Sequence, residues 1–137
     1  MTAIKQIFVN LPVKDLDRSV AFFTKLGFTF NPDFTDEKAT SMIIGENIFA
    51  MLLTEEFFST FTKKPLADAK AATEVINAFS MGSRQEVDDI VEKAIAAGAK
   101  QYKEAEDHGW MYGRNFEDPD GHQWEFFFMD MAAMPQN

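Results

Sequence analysis

Residues 118–121, Asp-Pro-Asp-Gly, form the turn signal that most constrains how this chain folds. The ring of Pro119 sets its φ angle, and Gly121 accepts the positive φ that other residues resist. Strand-forming residues, many of them aromatic, stand on both sides, from Trp110 to Phe116 and from Gln123 to Met129. The pattern therefore predicts a β-hairpin near the end of the folded chain.

A carboxylate interrupts the second strand of this hairpin, because Glu125 stands between Trp124 and Phe126. Burying an unpaired charge in such an apolar strand is costly, so the residue needs a partner or a function. Two interpretations are open. Glu125 is a general base or a hydrogen-bond anchor for a ligand, or it is structural and pairs with Arg114 on the preceding strand or with backbone donors.

Composition excludes several classes of protein. A chain of 137 residues with 46% hydrophobic residues and 15 Phe can bury a core, and a single domain over residues 1–137 is predicted. The net charge of −9 disfavours nucleic acid and anionic membrane surfaces as partners. The chain has no Cys, which excludes disulfides, thiolate metal sites and a Cys nucleophile. With no signal-peptide pattern and no bilayer-spanning apolar stretch, a cytoplasmic protein is predicted.

The order of predicted elements repeats along the chain. The first half reads β-α-β-β-β over about residues 4–58, and a segment over about 62–73 is predicted to be a linker. The same order returns over about 74–130, where Ser83 and Glu86 form a capping box at the start of the second helix. The two tandem units predict an α+β fold in which they form a cup-shaped mixed sheet with helices on the outside. The strands predicted in the second half are Glu74–Met81, Ala99–Lys103, Trp110–Phe116 and Gln123–Met129.

Two motifs resemble the vicinal oxygen chelate superfamily, which contains glyoxalase I, bleomycin resistance proteins and extradiol dioxygenases. The first is Leu-Pro-Val-Lys-Asp-Leu-Asp-Arg-Ser-Val-Ala-Phe-Phe at residues 11–23, followed by Leu-Gly-Phe at 26–28. The second is the hairpin sequence at residues 116–125. The resemblance extends over roughly residues 4 to 130. It implies the same paired-unit fold and a homodimer.

In metal-dependent members of the superfamily, four ligands line the cup, one from the first and one from the last strand of each unit. Only one of the matching positions in this chain carries a ligand type, and a catalytic zinc needs about three protein ligands. Glu74 and Asn77 are the nearest polar alternatives at the third position. The resemblance therefore implies no metal and no cofactor, and a divalent metal is disfavoured. The four positions fall on Phe8, on Leu52 (or Met51 if the register slips), near Ile76 and on Glu125.

The resemblance also implies that the Glu125 side chain points into the cup, with Phe127 on the same face. Strand alternation then places Phe8 and Asn10 on the cup side of the first strand. An aromatic lining with a few polar groups is typical of a small-molecule pocket. The remaining ligand-binding candidates are Trp110, Tyr112 and Arg114, which alternate on a face that the sequence does not assign, and His108, in a loop that could swing over the cup.

The favoured function is a metal-independent protein that binds a small aromatic or amphipathic ligand, as bleomycin-resistance-like members do. The alternative is a lyase of the glyoxalase (lactoylglutathione lyase) type, or a related isomerase or dioxygenase, that uses Glu125 and a non-standard metal site with His108. A third hypothesis is a dimeric module whose cup is filled by its own side chains. The sequence does not decide between an enzyme and a binding protein.

Overall fold

The structure, a computed structural model, describes residues 2–135 and divides into two units. Unit one ends at Ala67 and unit two begins at Asp68, inside the segment 62–73 that the sequence predicts to be a linker. Met1, Gln136 and Asn137, which the one-domain prediction includes, lie outside the described residues.

Unit one contains a four-stranded mixed sheet with one main helix. Its elements are β1 (Ile7–Val13), α1 (Leu16–Lys25), β2 (Thr29–Asn31), β3 (Ala39–Gly45), β4 (Ile48–Thr54) and the short helix α2 (Glu55–Phe58). The strand order is β1-β4-β3-β2, with β1 parallel to β4. Helix α1 begins after Asp15, whose Oδ1 accepts a hydrogen bond from the Arg18 N–H at 3.1 Å. The helix buries Phe22 and Phe23, so its apolar stripe forms part of the core.

Unit two repeats this arrangement. Its elements are β5 (Ile76–Ser80), α3 (Arg84–Ala96), β6 (Glu106–Asp107), β7 (Met111–Glu117) and β8 (Gln123–Met129). The strand order is β5-β8-β7-β6, with β5 parallel to β8. The α+β fold class and the tandem β-α-β-β-β units are thus confirmed. That the two sheets together form a cup stays a prediction.

Helix α3 packs against β7 and β8 and covers one face of the unit-two sheet. At its start the Ser83 hydroxyl accepts a hydrogen bond from the Glu86 N–H, as the capping box predicts, and the Glu86 carboxylate accepts one from the Gly82 N–H. With 13 residues α3 is the longest helix in residues 2–135, and no helix there is long and apolar enough to cross a bilayer. The core of the unit is formed by Val87, Val91, Ala94, Phe116, Trp124 and Phe126.

The predicted β7–β8 hairpin is confirmed, and Asp118 organises its turn. The Gly121 N–H donates to the Asp118 carbonyl at 3.0 Å, and Gly121 has a φ of 92°. The Asp118 side chain is buried: its Oδ1 accepts from the N–H groups of Asp120 and His122, and its Oδ2 accepts from Trp124 Nε1 at 2.9 Å. The turn is therefore a hydrogen-bonded structural element.

The predicted strand Ala99–Lys103 is wrong. Its only ladder contact among the described residues is an isolated bridge between Lys100 and Glu117, and the edge strand of the sheet is the two-residue β6. The backbone N–H groups of Tyr102 and Lys103 bond to a side chain instead, that of Asn115. A side-chain hydrogen bond has replaced the strand ladder here.

Candidate functional site

Glu125 lies in the middle of β8, on the face of the unit-two sheet that turns away from α3; we call this the open face. Antiparallel pairing places Trp124 opposite Phe116 and Phe126 opposite Arg114 on the α3 face, and Glu125 opposite Asn115 on the open face. The predicted alternation in β8 is confirmed, because Trp124 and Phe126 are buried while Glu125 is half-buried.

A cavity of about 80 Å³ lies beside the Glu125 carboxylate, wholly within unit two. Pockets that enclose drug-sized ligands measure roughly 300–1,000 Å³. The cavity can therefore enclose one functional group of a ligand but not a whole molecule of that size. Its lining residues are Ile76, Tyr102, Lys103, Glu106, Met111, Gly113, Asn115 and Glu125.

The Asn115 side chain holds one wall of the cavity in place. Its Oδ1 accepts hydrogen bonds from the backbone N–H groups of Tyr102 and Lys103, at 3.0 and 3.1 Å. Its Nδ2 donates to the Lys103 carbonyl at 3.0 Å, so the donor and acceptor atoms of the amide are both used. This arrangement fixes the backbone of residues 102–103 next to Glu125.

Two charged residues of the cavity lining, Lys103 and Glu106, are paired with each other. Lys103 forms an ion pair with Glu106, and His108 Nε2 lies 3.5 Å from Glu106 Oε2. The hydrogen bond from Lys103 lowers the pKa of Glu106, with a smaller effect from His108. The bond to Glu106 raises the pKa of Lys103, and the charge of Glu125 adds to this. Glu106 is thus an ionised, partnered carboxylate at neutral pH.

The Glu125 carboxylate differs from Glu106. Within residues 2–135, no donor lies within hydrogen-bonding distance of it and no cation within ion-pair distance. Its charge acts on the half-buried Tyr102 phenol, whose pKa is raised first by burial and then by Glu125. Tyr102 therefore stays protonated at neutral pH and keeps an O–H donor near the cavity.

The predicted pairing of Glu125 with Arg114 is wrong, because Arg114 lies on the α3 face. Arg114 donates to Asp88 and Glu92 of α3, both at 3.2 Å, and to Gln101 at 3.0 Å. The Arg114 guanidinium therefore donates to three acceptors, and none of them is Glu125.

Tyr112 shares this face and donates its hydroxyl to Asp88 at 2.5 Å. The Arg84 guanidinium lies over the Tyr112 ring, 4.3 Å from its centroid. Trp110 lies just before β7, where its carbonyl accepts a hydrogen bond from the Asp130 N–H. The structure therefore places Tyr112 and Arg114 with α3, away from Glu125.

The other predicted ligand-binding residues lie in different places. Phe127 is on the open face, two residues from Glu125, and packs against Gly113. His108 contacts Glu106, as described above. Phe8 and Asn10 are exposed on β1 of unit one, where Phe8 stacks on Phe49 with ring centroids 4.9 Å apart. In unit two, Phe127 thus shares a face with Glu125, and His108 contacts Glu106, which also lines the cavity.

The strand registers test the metal-ligand positions that the resemblance implies. In unit one, Met51 lies opposite Asn10 and therefore shares a face with Phe8, whereas Leu52 is in the core. In unit two, Ala78 of β5 lies opposite Glu125, and Asn77 points to the other face.

The residues beside Glu125 do not fit a catalytic metal. The Ala78 side chain has no atom that can coordinate a metal. The side-chain amide of Asn115 is already hydrogen-bonded to the backbone of residues 102–103. No three His, Asp or Glu side chains in the described chain lie close enough together to hold a metal ion. That the protein binds no metal stays a prediction.

Comparisons with known proteins show which family the chain resembles. A model of the bleomycin resistance protein-like N-terminal family matches residues 5–45. A hypothetical protein from S. aureus is 28% identical, with 93% of this chain and 95% of that chain covered and a TM-score of 0.77. A glyoxalase/bleomycin resistance protein/dioxygenase from Nocardioides is 25% identical, with 100% and 91% covered and a TM-score of 0.73. The chain is similar to the vicinal oxygen chelate superfamily, in sequence over residues 5–45 and in fold over almost its whole length.

Other proteins of the vicinal oxygen chelate fold are more distant. A fosfomycin resistance protein from Mesorhizobium loti is 15% identical, with 96% of this chain and 97% of that chain covered and a TM-score of 0.69. Identity this low shows a shared fold and nothing about activity. No curated protein sequence matches the chain.

Sequence reasoning missed six of the eight residues that line the cavity, and four of these six are polar. Tyr102 and Lys103 stand at the end of the predicted strand Ala99–Lys103, and Glu106 follows in the charge-rich segment Gln-Tyr-Lys-Glu-Ala-Glu-Asp. Asn115 stands in the predicted strand between Arg114 and Phe116. A polar amide inside a strand, opposite a carboxylate across a hairpin, is the signal that could have drawn attention to this wall.

Proposed function

We propose that this chain, which resembles the vicinal oxygen chelate superfamily, is a metal-independent small-molecule-binding protein, and that Glu125 accepts a hydrogen bond from its ligand. The observation that carries the proposal is the half-buried Glu125 carboxylate, which lines a cavity and has no partner within residues 2–135. A carboxylate that has lost part of its water shell gains most when a donor binds to it. The ligand therefore presents an N–H, O–H or ammonium group to Glu125.

The size and lining of the cavity support a ligand with two chemically different ends. The cavity of about 80 Å³ accommodates the polar group. Met111 and Ile76 line it, and Phe127 lies next to Glu125 on the open face, so apolar surface adjoins the polar group. A small aromatic or amphipathic molecule with one donor-bearing end fits this description.

The alternative function is a lyase or isomerase in which Glu125 is the base and His108 completes a non-standard metal site. His108 approaches a cavity residue, Glu106, and this contact is the observation in its favour. The alternative needs a further ligand, which the described residues do not bring to Glu106 and His108. For the favoured function, we also propose that the binding protein is a homodimer and is located in the cytoplasm.

Removing the charge of Glu125 is expected to weaken ligand binding and leave the fold intact. A library of small aromatic and amphipathic compounds with amine, amide or hydroxyl groups is screened by changes in the amide NMR signals of residues 102–103, 113 and 125. We expect compounds that move these signals in the native protein to bind Glu125→Gln at least about tenfold more weakly, since the charge-assisted bond is lost. Glu104→Gln removes the same charge from an exposed loop residue outside the cavity lining and should leave binding unchanged. A library in which no compound moves the cavity signals would contradict the proposal.

Metal analysis separates the binding protein from the metal-dependent enzyme. The purified protein is dialysed against zinc, nickel or ferrous iron and its metal content is measured. We expect no stoichiometric, tightly held metal, because Glu125 lacks neighbouring ligands. One metal ion per chain, lost in Glu125→Gln or His108→Ala, would favour the enzyme instead.

A further inference from the structure

The wall of the cavity opposite Glu125 is not held by a strand ladder. Lys100 forms a bridge with Glu117, and the next ladder contact on this side pairs Glu106 with Gly113. Between these two points the N–H groups of Tyr102 and Lys103 bond to Asn115. One side chain therefore fixes the part of the wall that carries Tyr102 and Lys103.

Asn115 is placed to connect this wall with Glu125. It lies directly opposite Glu125 in the β7–β8 register, on the same face of the sheet, and is only 5% exposed. Its three hydrogen bonds all go to the backbone of residues 102–103. The distance between the wall and the carboxylate thus depends on a single amide.

No other residue type of this size can make the same three bonds. The oxygen of the amide accepts from two N–H groups while its nitrogen donates to a carbonyl. Asp has no donor for the Lys103 carbonyl, and Leu has neither donor nor acceptor. The core of unit two does not require an amide here, because Trp124, Phe126 and α3 pack on the opposite face.

We propose that Asn115 is the positioning residue of the Glu125 cavity, because it holds Tyr102 and Lys103 at a set distance from the carboxylate that binds the ligand. The expected effect of Asn115 on ligand binding rests on the proposed function. The hydrogen bonds that fix the wall do not depend on it. A wall held in its binding position before the ligand arrives lowers the entropy cost of binding. Asn115 therefore acts on the ligand through Tyr102 and Lys103, because its own amide atoms are used by the backbone of residues 102–103.

The test compares Asn115→Ala with Asn77→Ala. Asn77 is the matched control, since it is also a buried Asn of the unit-two sheet (8% exposed), but it lies on the α3 face and donates to the Gln123 carbonyl. In Asn115→Ala the amide hydrogens of Tyr102 and Lys103 should exchange about tenfold faster relative to the core amides, because their acceptor is gone. Asn77→Ala should leave this ratio unchanged.

The titration of Tyr102 gives a second readout that a loss of stability alone would not change. Burial is the main cause of the raised pKa of Tyr102, so a wall that moves outward should bring that pKa back toward its ordinary value in Asn115→Ala. The signal of Tyr112 is distinguished by a Tyr102→Phe variant. Asn77→Ala should leave the Tyr102 titration where it is in the native protein.

The outcomes separate this inference from the proposed function. If Asn115→Ala is destabilised but keeps the native Tyr102 titration and amide exchange ratio, Asn115 is only a structural residue and the inference is overturned. If Asn115→Ala does not fold, Asn115→Ser, which is neutral but too short to make all three bonds, should show the same changes to a smaller degree; native values in it overturn the inference equally. A library without hits refutes the proposed function, whereas both readouts for Asn115 are obtained without a ligand.

Discussion

Gly121→Ala is expected to destabilise the fold by about 3 kcal/mol, more than a Gly to Ala change at most surface turns. Two costs add at this position. Gly121 has a φ of 92°, which an L side chain resists. A Cβ at Gly121 would also lie 2.6 Å from the Lys70 nitrogen and 2.8 Å from the Ala69 carbonyl carbon. Because both contacts are backbone atoms, the backbone at residues 69–70, at the start of unit two, would have to move.

Gly109→Ala is the matched control for this prediction. Gly109 has a similar φ of 82°, but no atom lies within 4 Å of the Cβ that it would gain. Only the backbone strain remains, and we expect a loss of about 1 kcal/mol. The free energy of unfolding is measured by denaturant titration, with Trp fluorescence as the signal. Equal losses in the two variants would show that the approach of Ala69 and Lys70 to the turn costs nothing.

Gly121 also shows which part of a turn is predictable from sequence. Its positive φ follows from the local sequence, because Asp-Pro-Asp-Gly specifies the turn by itself. The contact with Lys70 does not follow, because the two residues are about fifty positions apart and segment 62–73 has no periodic pattern. Local sequence encodes backbone angles, whereas such a close approach is a property of the folded chain.

The same distinction explains the success and the failure at the candidate site. The faces of β8 were predictable because Trp124 and Phe126 alternate with Glu125 in a strongly apolar strand. The face of Arg114 was not, because it depends on the register of β7, which the number of residues in the turn determines. A shift of one residue would have placed Arg114 beside Glu125.

Strand propensity does not predict the hydrogen bonds that hold the wall of the cavity. Residues 99–103 read as a strand, yet the N–H groups of Tyr102 and Lys103 find their acceptor in the side chain of Asn115. Strand propensity measures how well a residue fits into a β-sheet. It carries no information about a side chain that hydrogen-bonds to the backbone in place of a neighbouring strand.

Asp118→Asn is expected to destabilise the fold by about 2 kcal/mol at pH 7. The Asn oxygen can still accept from the N–H groups of Asp120 and His122. Its NH₂ group then faces Trp124 Nε1 at the position where the Asp oxygen accepts at 2.9 Å, so two donors oppose each other in a buried site. A double-mutant cycle with Trp124→Phe tests this cause, because the cost of Asp118→Asn should fall once the indole N–H is absent.

Asp36→Asn provides the matched control. Asp36 Oδ1 also accepts from two backbone N–H groups, those of Lys38 and Ala39, but the residue is exposed and its side chain has no indole partner. The Asn variant keeps both of these bonds, and we expect a loss below about 0.5 kcal/mol. A similar loss in Asp36→Asn and Asp118→Asn would contradict a special role for the indole.

The cost of Asp118→Asn should also depend on pH. Burial raises the pKa of Asp118 above its ordinary value, and His122, the Trp124 N–H and the two backbone N–H groups lower it in part. Since the folded state holds this proton more tightly than the unfolded chain does, the stability contributed by Asp118 is fully present below the unfolded pKa, about 3.9, and is lost as the pH rises through the folded pKa. The Asn side chain does not titrate. The difference in unfolding free energy between the native protein and Asp118→Asn should therefore be larger at pH 4 than at pH 7. A difference that shrinks toward pH 4 would contradict this. It would mean that the hydrogen bonds to the ionised carboxylate lower the pKa of Asp118 more than burial raises it.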